Sequence, residues 1–334
     1  MEPKITVFMA AYNAAPFIEE SITSILNQTF RDFEFIIVDD GSTDETASII
    51  EGFNDSRILL VKNETNKGLQ FTRNRLLNLA RGMYIAILDA DDVALPERLE
   101  KQYNFLSTQP QIALCGGHAE IIDEHGVIQQ RKIIVPTNQH VNMYMLFCNP
   151  FINSSSMFRT EVFIELNGYH DYVISEDFDL FIRFSEKYEV ANIDEFLVKY
   201  RIHGNNITLK KSDSQIECEL KILGNMQKAL GMSADANLLN IHLELFTSNI
   251  KLKHHFDYFK LLKTIKLAND ESHRFNVEQF HKFIFQKCIE LIKLQKANKK
   301  ALSWYFDSNL FRWTYFNFKQ FRKISKISLR GIFS

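Results

Sequence analysis

Along the first half of the chain, short apolar runs alternate with longer segments in which apolar positions recur every three or four residues. The runs at 5–9, 35–38, 58–61 and 84–88 are nearly continuous, the pattern of strands covered on both faces. They predict strands over about 5–10, 34–39, 58–62 and 84–89, with helices over about 17–27, 44–53, 69–80 and 96–107 between them. This alternation argues for an α/β fold, a doubly wound and mostly parallel sheet. After about residue 210 the strand-like pattern fades and the chain reads as mainly α-helical. The expected division is therefore 1–211, the α/β part, and 212–334, a helical C-terminal region.

Composition narrows the picture without changing it. The 334 residues are 46% hydrophobic and 24% charged, ordinary values for a folded chain large enough for two domains. A formal charge of −2 gives no reason to expect nucleic acid. No apolar run reaches the roughly 18 residues a membrane span requires, and no signal pattern precedes the first strand. Cys115, Cys148, Cys218 and Cys288 are widely spaced, which suggests neither a zinc site nor a disulfide framework. The expectation is a cytoplasmic protein with reduced thiols.

The candidate chemistry sits where the strands end. Tyr84–Leu88 is followed by Asp89, Asp91 and Asp92, and the run at 35–38 by Asp39 and Asp40. Open α/β sheets bind ligands outside the carboxyl ends of their strands. Clustered carboxylates repel one another unless protons or a cation intervene, so a hard divalent metal, Mn²⁺ or Mg²⁺, is their natural partner. Residues 10–15, AAYNAA, form no glycine-rich dinucleotide loop, and no P-loop is present. Phosphates would have to be held through a metal. A solvated turn can also produce such an acidic string, so the neighbouring segments carry the weight.

Those segments are KITVFMAAYN (4–13), FEFIIVDDGSTD (33–44), NKGLQFTRN (66–74), YIAILDADD (84–92), LPERL (95–99), NPFINSSSMFR (149–159), SEDFDLFIR (175–183) and YRIHGNNIT (200–208). In this order they resemble the inverting nucleotide-sugar glycosyltransferases of family 2, over roughly residues 4–208. The resemblance implies the GT-A fold, a UDP- or dTDP-sugar donor, and a glycan or lipid-linked saccharide acceptor in surface-polysaccharide synthesis. It implies that Ala10 and Tyr12 line the base and ribose pocket and that Asp40, supported by Asp39, accepts from the imide N–H of the base. Arg73 would lie against the nucleotide, pairing with Asp40 or approaching the diphosphate. Asp89 would contact ribose and help position the metal, Asp91 would coordinate it, and His203 would complete that site with Arg201 near the phosphates. Asp177 would be the general base and Glu176 a support or acceptor contact. Ser155, within Asn153–Ser156, would suit an acceptor or donor sugar, and Asp92 would support the N-cap of the next helix.

Plainer readings stand beside these. Residues 39–44 form a turn in which Ser42 or Thr43 caps a helix, residues 176–179 are an acidic helix start, and His203 is a structural histidine. The rival functions are a nucleotidyltransferase, which normally needs a glycine-rich loop after the first strand, and a non-catalytic sugar-nucleotide-binding scaffold.

The charge is unevenly spread. From Gln286 to Ser334 there are 11 Lys and Arg against two acids, a local +9 that leaves −11 for the first 285 residues. A helix over 311–330 would gather Arg312, Lys319, Lys323, Lys326 and Arg330 into a stripe roughly 60° wide. Residues 304–334 therefore suggest either peripheral attachment to an anionic membrane or a helix packed on the body with its lysines in water.

Overall fold

The computed structural model describes residues 2–137, 140–172, 174–204, 206, 213–295 and 297–333. Its contacts divide the chain into two compact units, Met1–Met145 with Asn149–Cys218, and Leu146–Cys148 with Glu219–Ser334. The expected boundary at 211/212 lies outside the described residues.

The first unit is built on one sheet. Its strands are β1 (Ile5–Ala11), β2 (Phe33–Asp39), β3 (Ile58–Lys62), β4 (Tyr84–Ile87), β5 (Val93–Ala94), β6 (Ile112–Ile122), β7 (Ile128–Ile133), β8 (Met157–Arg159) and β9 (Glu189–Arg201). Their order is β3-β2-β1-β4-β8-β6-β9-β5, with β7 paired to β6. The first four are mutually parallel. β8 runs antiparallel to β4 and β6, whereas β6 and β9 are parallel. The sheet is thus mixed, and the doubly wound pattern describes its N-terminal half. β2 and β4 are buried along their whole length and β1 almost so, which explains their unbroken apolar sequences. Glycines admit the close approach of β6 to β9: a Cβ on Gly117 would lie 2.6 Å from Leu197.

Helix Ile18–Leu26 buries Ile18, Ile22 and Ile25, a stripe at helical spacing that covers the sheet. The helix expected over 69–80 is instead two short pieces, Leu69–Asn74 and Leu76–Leu79. Glu34, at the start of β2, is a buried knot. Its carboxylate accepts from Thr6 Oγ1 at 2.7 Å, and from the Arg81 amide and Nε at 2.8 and 2.7 Å. These bonds hold the entry to β4 against β1 and thereby fix where β4 delivers its aspartates.

The second unit is helical, and its helices include Ala236–Phe246, His255–Ser272, Val277–Lys293 and Phe318–Phe333. Asp235 and Asn276 cap two of them through their side chains, as short polar residues do at helix starts. Aromatic rings fill the core, with Phe259 on Trp304 at 4.5 Å and Phe285 on Tyr305 at 5.5 Å. The helix expected to begin at 311 begins at Phe318, because Asn317 accepts from the Gln320 amide at 3.0 Å and Trp313–Tyr315 forms a 3₁₀ turn.

His242 is fully buried here. Its Nδ1 meets Gln227 Nε2 at 3.1 Å and its Nε2 meets the Leu146 carbonyl, a neutral tautomer with no room for a second proton. Burial pushes its pKa from 6.5 down to about 4. The neutral form is the folded form, so this stabilisation is complete above pH 6.5 and is lost as pH falls through 4, about 3 kcal/mol in all. Urea titrations between those pH values should show the wild type losing more stability on acidification than His242→Gln. Equal losses would refute the assignment.

Candidate active site at the carboxyl ends of the strands

Strands β1, β2 and β4 end side by side, Ala11 opposite Asp39 and Phe8 opposite Ile87. The loop after β1 is pinned to the loop after β2: the Asn13 amide donates to Ser42 Oγ at 3.0 Å and the Ala14 amide to Thr46 Oγ1 at 2.8 Å. Ala10 is half-buried and Tyr12, 48% exposed, projects from this rim. Asp39 is buried and accepts from the Ser42 amide at 3.2 Å. Asp40, also buried, accepts from Asn63 Nδ2 at 2.7 Å and from the Lys67 and Gly68 amides, both at 2.9 Å. A carboxylate has about four lone-pair positions, so Asp40 organises the 63–68 loop and keeps capacity for one further donor.

Arg73 is buried and bridges two acids, Asp89 at 2.9 Å and Glu176. It therefore pairs with neither Asp40 nor an exposed phosphate position, contrary to the sequence-based expectation. The attraction of Glu176 and Asp89 outweighs burial and raises its pKa, so it is cationic throughout. Asp89 also accepts from Asn153 Nδ2 at 2.9 Å and Ser154 Oγ at 2.9 Å. Burial drives Glu176 up to about 7 against the opposing pull of Arg73. Asp177 follows on the same helix, Glu176–Lys187. Burial raises its pKa, Arg73 opposes that, and Asp89 adds to it. Among the described residues its carboxylate has no side-chain hydrogen-bond partner. Ser175, immediately before the pair, takes a left-handed backbone, φ 69°, an arrangement that a non-glycine residue holds only under constraint.

The other aspartates have separate surroundings. Asp91 Oδ2 lies 3.0 Å from His203 Nε2 and 3.5 Å from Asn206 Nδ2. Burial and then the neighbouring Asp89 raise its pKa. His203 packs on Phe17, ring centres 4.6 Å apart. Among the described residues no group of three or more His, Cys, Asp or Glu side chains forms a ready-made metal cage; Asp91 and His203 form a pair. Of the motif that supplies His203, residues 205, 207 and 208 lie outside the described residues.

Three expectations need correction. Asp92 supports no helix N-cap: fully buried, it accepts from Ser154 and, at 2.7 Å, from the Arg201 amide. Arg201 does not point to phosphates, because its guanidinium binds the Asp91 carbonyl at 2.7 Å, the Asp123 carbonyl at 3.2 Å and Glu20. Ser155 is no sugar contact. It is wholly buried, its hydroxyl shared between the Gly117 and Ile152 carbonyls at 3.2 and 3.0 Å. The next residue back, Ser154, is the one that braces Asp89 and Asp92. Asn63, Asn206 and Tyr169 were also missed. Tyr169, 5.6 Å from the Arg73 guanidinium, lies outside every motif and left no signal in the sequence.

Comparison with known proteins places these residues in context. The family model described as glycosyl transferase family 2 matches residues 6–166. An uncharacterized glycosyltransferase of Haemophilus influenzae is 35% identical, covering 79% of this chain and 84% of its own. The Escherichia coli UDP-Glc:alpha-D-GlcNAc-diphosphoundecaprenol beta-1,3-glucosyltransferase WfaP is 29% identical over 76% of this chain and 96% of its own. In fold, the chain is similar to S. aureus TarS 1–349 in complex with UDP-GlcNAc, with TM-score 0.57, 18% identity, and 92% and 89% of the two chains covered.

If Asp40 organises the loop after β3, Asp40→Ala should release the Lys67 and Gly68 amides. Their hydrogen exchange should then accelerate tenfold or more, at about 1.4 kcal/mol per tenfold, while the β1 amides stay protected. Unchanged exchange at those two amides would show that the loop holds itself.

Proposed function

The chain belongs to glycosyltransferase family 2, and from that premise we propose that it moves a sugar from a UDP-sugar, or a dTDP-sugar, to a hydroxyl of a lipid-linked or glycan acceptor with inversion at the anomeric carbon. The observation that carries the proposal is the gathering of Asp40, Asp89, Asp91 and Asp177 around the ends of β1, β2 and β4, with Asp177 lacking a side-chain partner among the described residues.

The base stacks by Tyr12 and Ala10, and its imide N–H donates to the remaining lone pair of Asp40, with Asp39 behind it. Uracil and thymine both offer that N–H, whereas cytosine does not, which is why UDP and dTDP are the candidates. Asp89, oriented by Arg73, Asn153 and Ser154, faces the ribose. Asp91 and His203 would hold the divalent cation with the donor diphosphate completing its shell, and a mixed oxygen and nitrogen pair suits Mn²⁺ better than Mg²⁺. Bound there, the cation would supply Lewis-acid neutralisation of the leaving diphosphate.

Asp177 takes the proton from the acceptor hydroxyl as its oxygen attacks the anomeric carbon and the nucleoside diphosphate departs. Its raised pKa makes it a stronger base than an exposed aspartate. Glu176 positions it by anchoring the helix start to Arg73. The Escherichia coli relative named for a diphosphoundecaprenol acceptor supports a lipid-linked acceptor, which would bring the reaction to the cytoplasmic face of a membrane.

Asp177→Asn should lower kcat by roughly 10²–10⁴-fold while leaving the KM for donor within a few-fold. Asp91→Ala or EDTA should instead abolish donor binding measured by calorimetry. NMR of the product should show the anomeric configuration opposite to the donor's. A fully active Asp177→Asn enzyme would eliminate Asp177 as base, and nucleotide-sugar binding by the wild type without any transfer would favour the sugar-nucleotide-binding scaffold.

A further inference from the structure

The C-terminal helix Phe318–Phe333 has two apolar faces, and only one is used in packing. Ile324, Ile327 and Ser328 are buried, forming the inner face. On an adjoining face Phe318, Leu329 and Ile332 are 69%, 51% and 61% exposed and fall within roughly 60° of one another around the axis. The 3₁₀ turn that precedes the helix adds Trp313, 78% exposed and 6.0 Å from Phe316. Beside this strip Arg322, Lys326, Lys319, Arg330 and Lys323, all exposed, occupy the next roughly 100° of the wheel.

No acid follows Asp307 in the sequence, and Asp307 itself is paired to Lys263. Among the described residues none of the five cations has a carboxylate partner. Arg312, the remaining basic residue of the segment, is engaged by His281 Nδ1 at 2.8 Å.

We propose that this face, Trp313 with the outer side of helix Phe318–Phe333, is the docking surface for an anionic phospholipid bilayer. An apolar strip flanked by unpaired cations matches a membrane interface, where large side chains enter the acyl boundary and cations meet the headgroups. The same five positive charges oppose pairing with a second copy of the chain. A nucleic acid gives exposed Leu329 and Ile332 nothing to enter. The surface excludes Trp304, Tyr305 and Leu310, which are buried; deleting the whole tail would destroy core as well as surface. The proposal stands apart from the assignment of donor and acceptor.

The test is sedimentation of the full chain with vesicles of phosphatidylcholine alone or mixed with phosphatidylglycerol, at low and high salt. The wild type should pellet only with the acidic vesicles and less at high salt. Its fluorescence should shift to the blue, reporting Trp313, since Trp304, the only other tryptophan, is buried. K319Q/R322Q/K326Q should weaken partitioning by about 100-fold, roughly fivefold per cation, and W313S/F318S/L329S by at least about tenfold. All these positions are exposed, so circular dichroism and UDP binding should match wild type, which separates failure of the surface from failure of the active site. Equal binding to neutral vesicles, or wild-type partitioning by either variant, overturns the proposal. Capture by single-stranded RNA that survives W313S/F318S/L329S also overturns it, in favour of a nucleic-acid surface.

Discussion

The ion triad of Arg73 with Asp89 and Glu176 is the constraint on which the site depends. A guanidinium removed from water is tolerable only when its charge is matched. Here one acid comes from the end of β4 and the other from the start of a helix about a hundred residues further on. Satisfying Arg73 therefore fixes the distance between the strand that carries the aspartate cluster and the helix that carries Asp177. Asn153 and Ser154 restrain Asp89 from its other side, so the geometry is determined by several elements together. Taking away Arg73 would leave Glu176 buried beside Asp89 with no cation between them, which costs more than the pairs themselves contribute.

Legibility in the sequence followed unbroken apolar runs; β6 is buried almost throughout, but its two glycines and His118 break the run. β1, β2 and β4 could be read because sheet and helices cover both faces, leaving unbroken apolar runs, and the aspartates after them stood out against that background. β6 to β9 could not. β7 is exposed throughout most of its length and β9 alternates irregularly, so neither presents a clean period of two. The order of the second half of the sheet depends on long-range pairing that local pattern does not encode.

At the site, the segments picked out in the sequence meet at the strand ends, but individual side chains take other partners than expected. Ser154 and Ser155 are adjacent and chemically identical, yet one turns toward Asp89 and the other into the core. The 3₁₀ turn Asn153–Ser155 decides between them, and a short turn of three polar residues carries no periodic signal. Arg73 pairs with Asp89 and Glu176 rather than Asp40, because its partners come from strands and helices that sequence spacing cannot bring together. The start of the last helix was placed at 311 and lies at Phe318, although Asn317, an ordinary N-cap residue, marks it in the sequence.

Residues 146–148 belong to the helical unit although they sit within the sequence of the sheet-bearing one. Phe147 is buried, and the Leu146 carbonyl receives His242. The chain thus visits the helical unit twice, once in passing and once for good. Neither half can be obtained intact by a single cut. A nascent chain leaving the ribosome would have Leu146–Cys148 in place long before their partners exist, so this short apolar stretch must wait, uncovered, until the C-terminal helices are made.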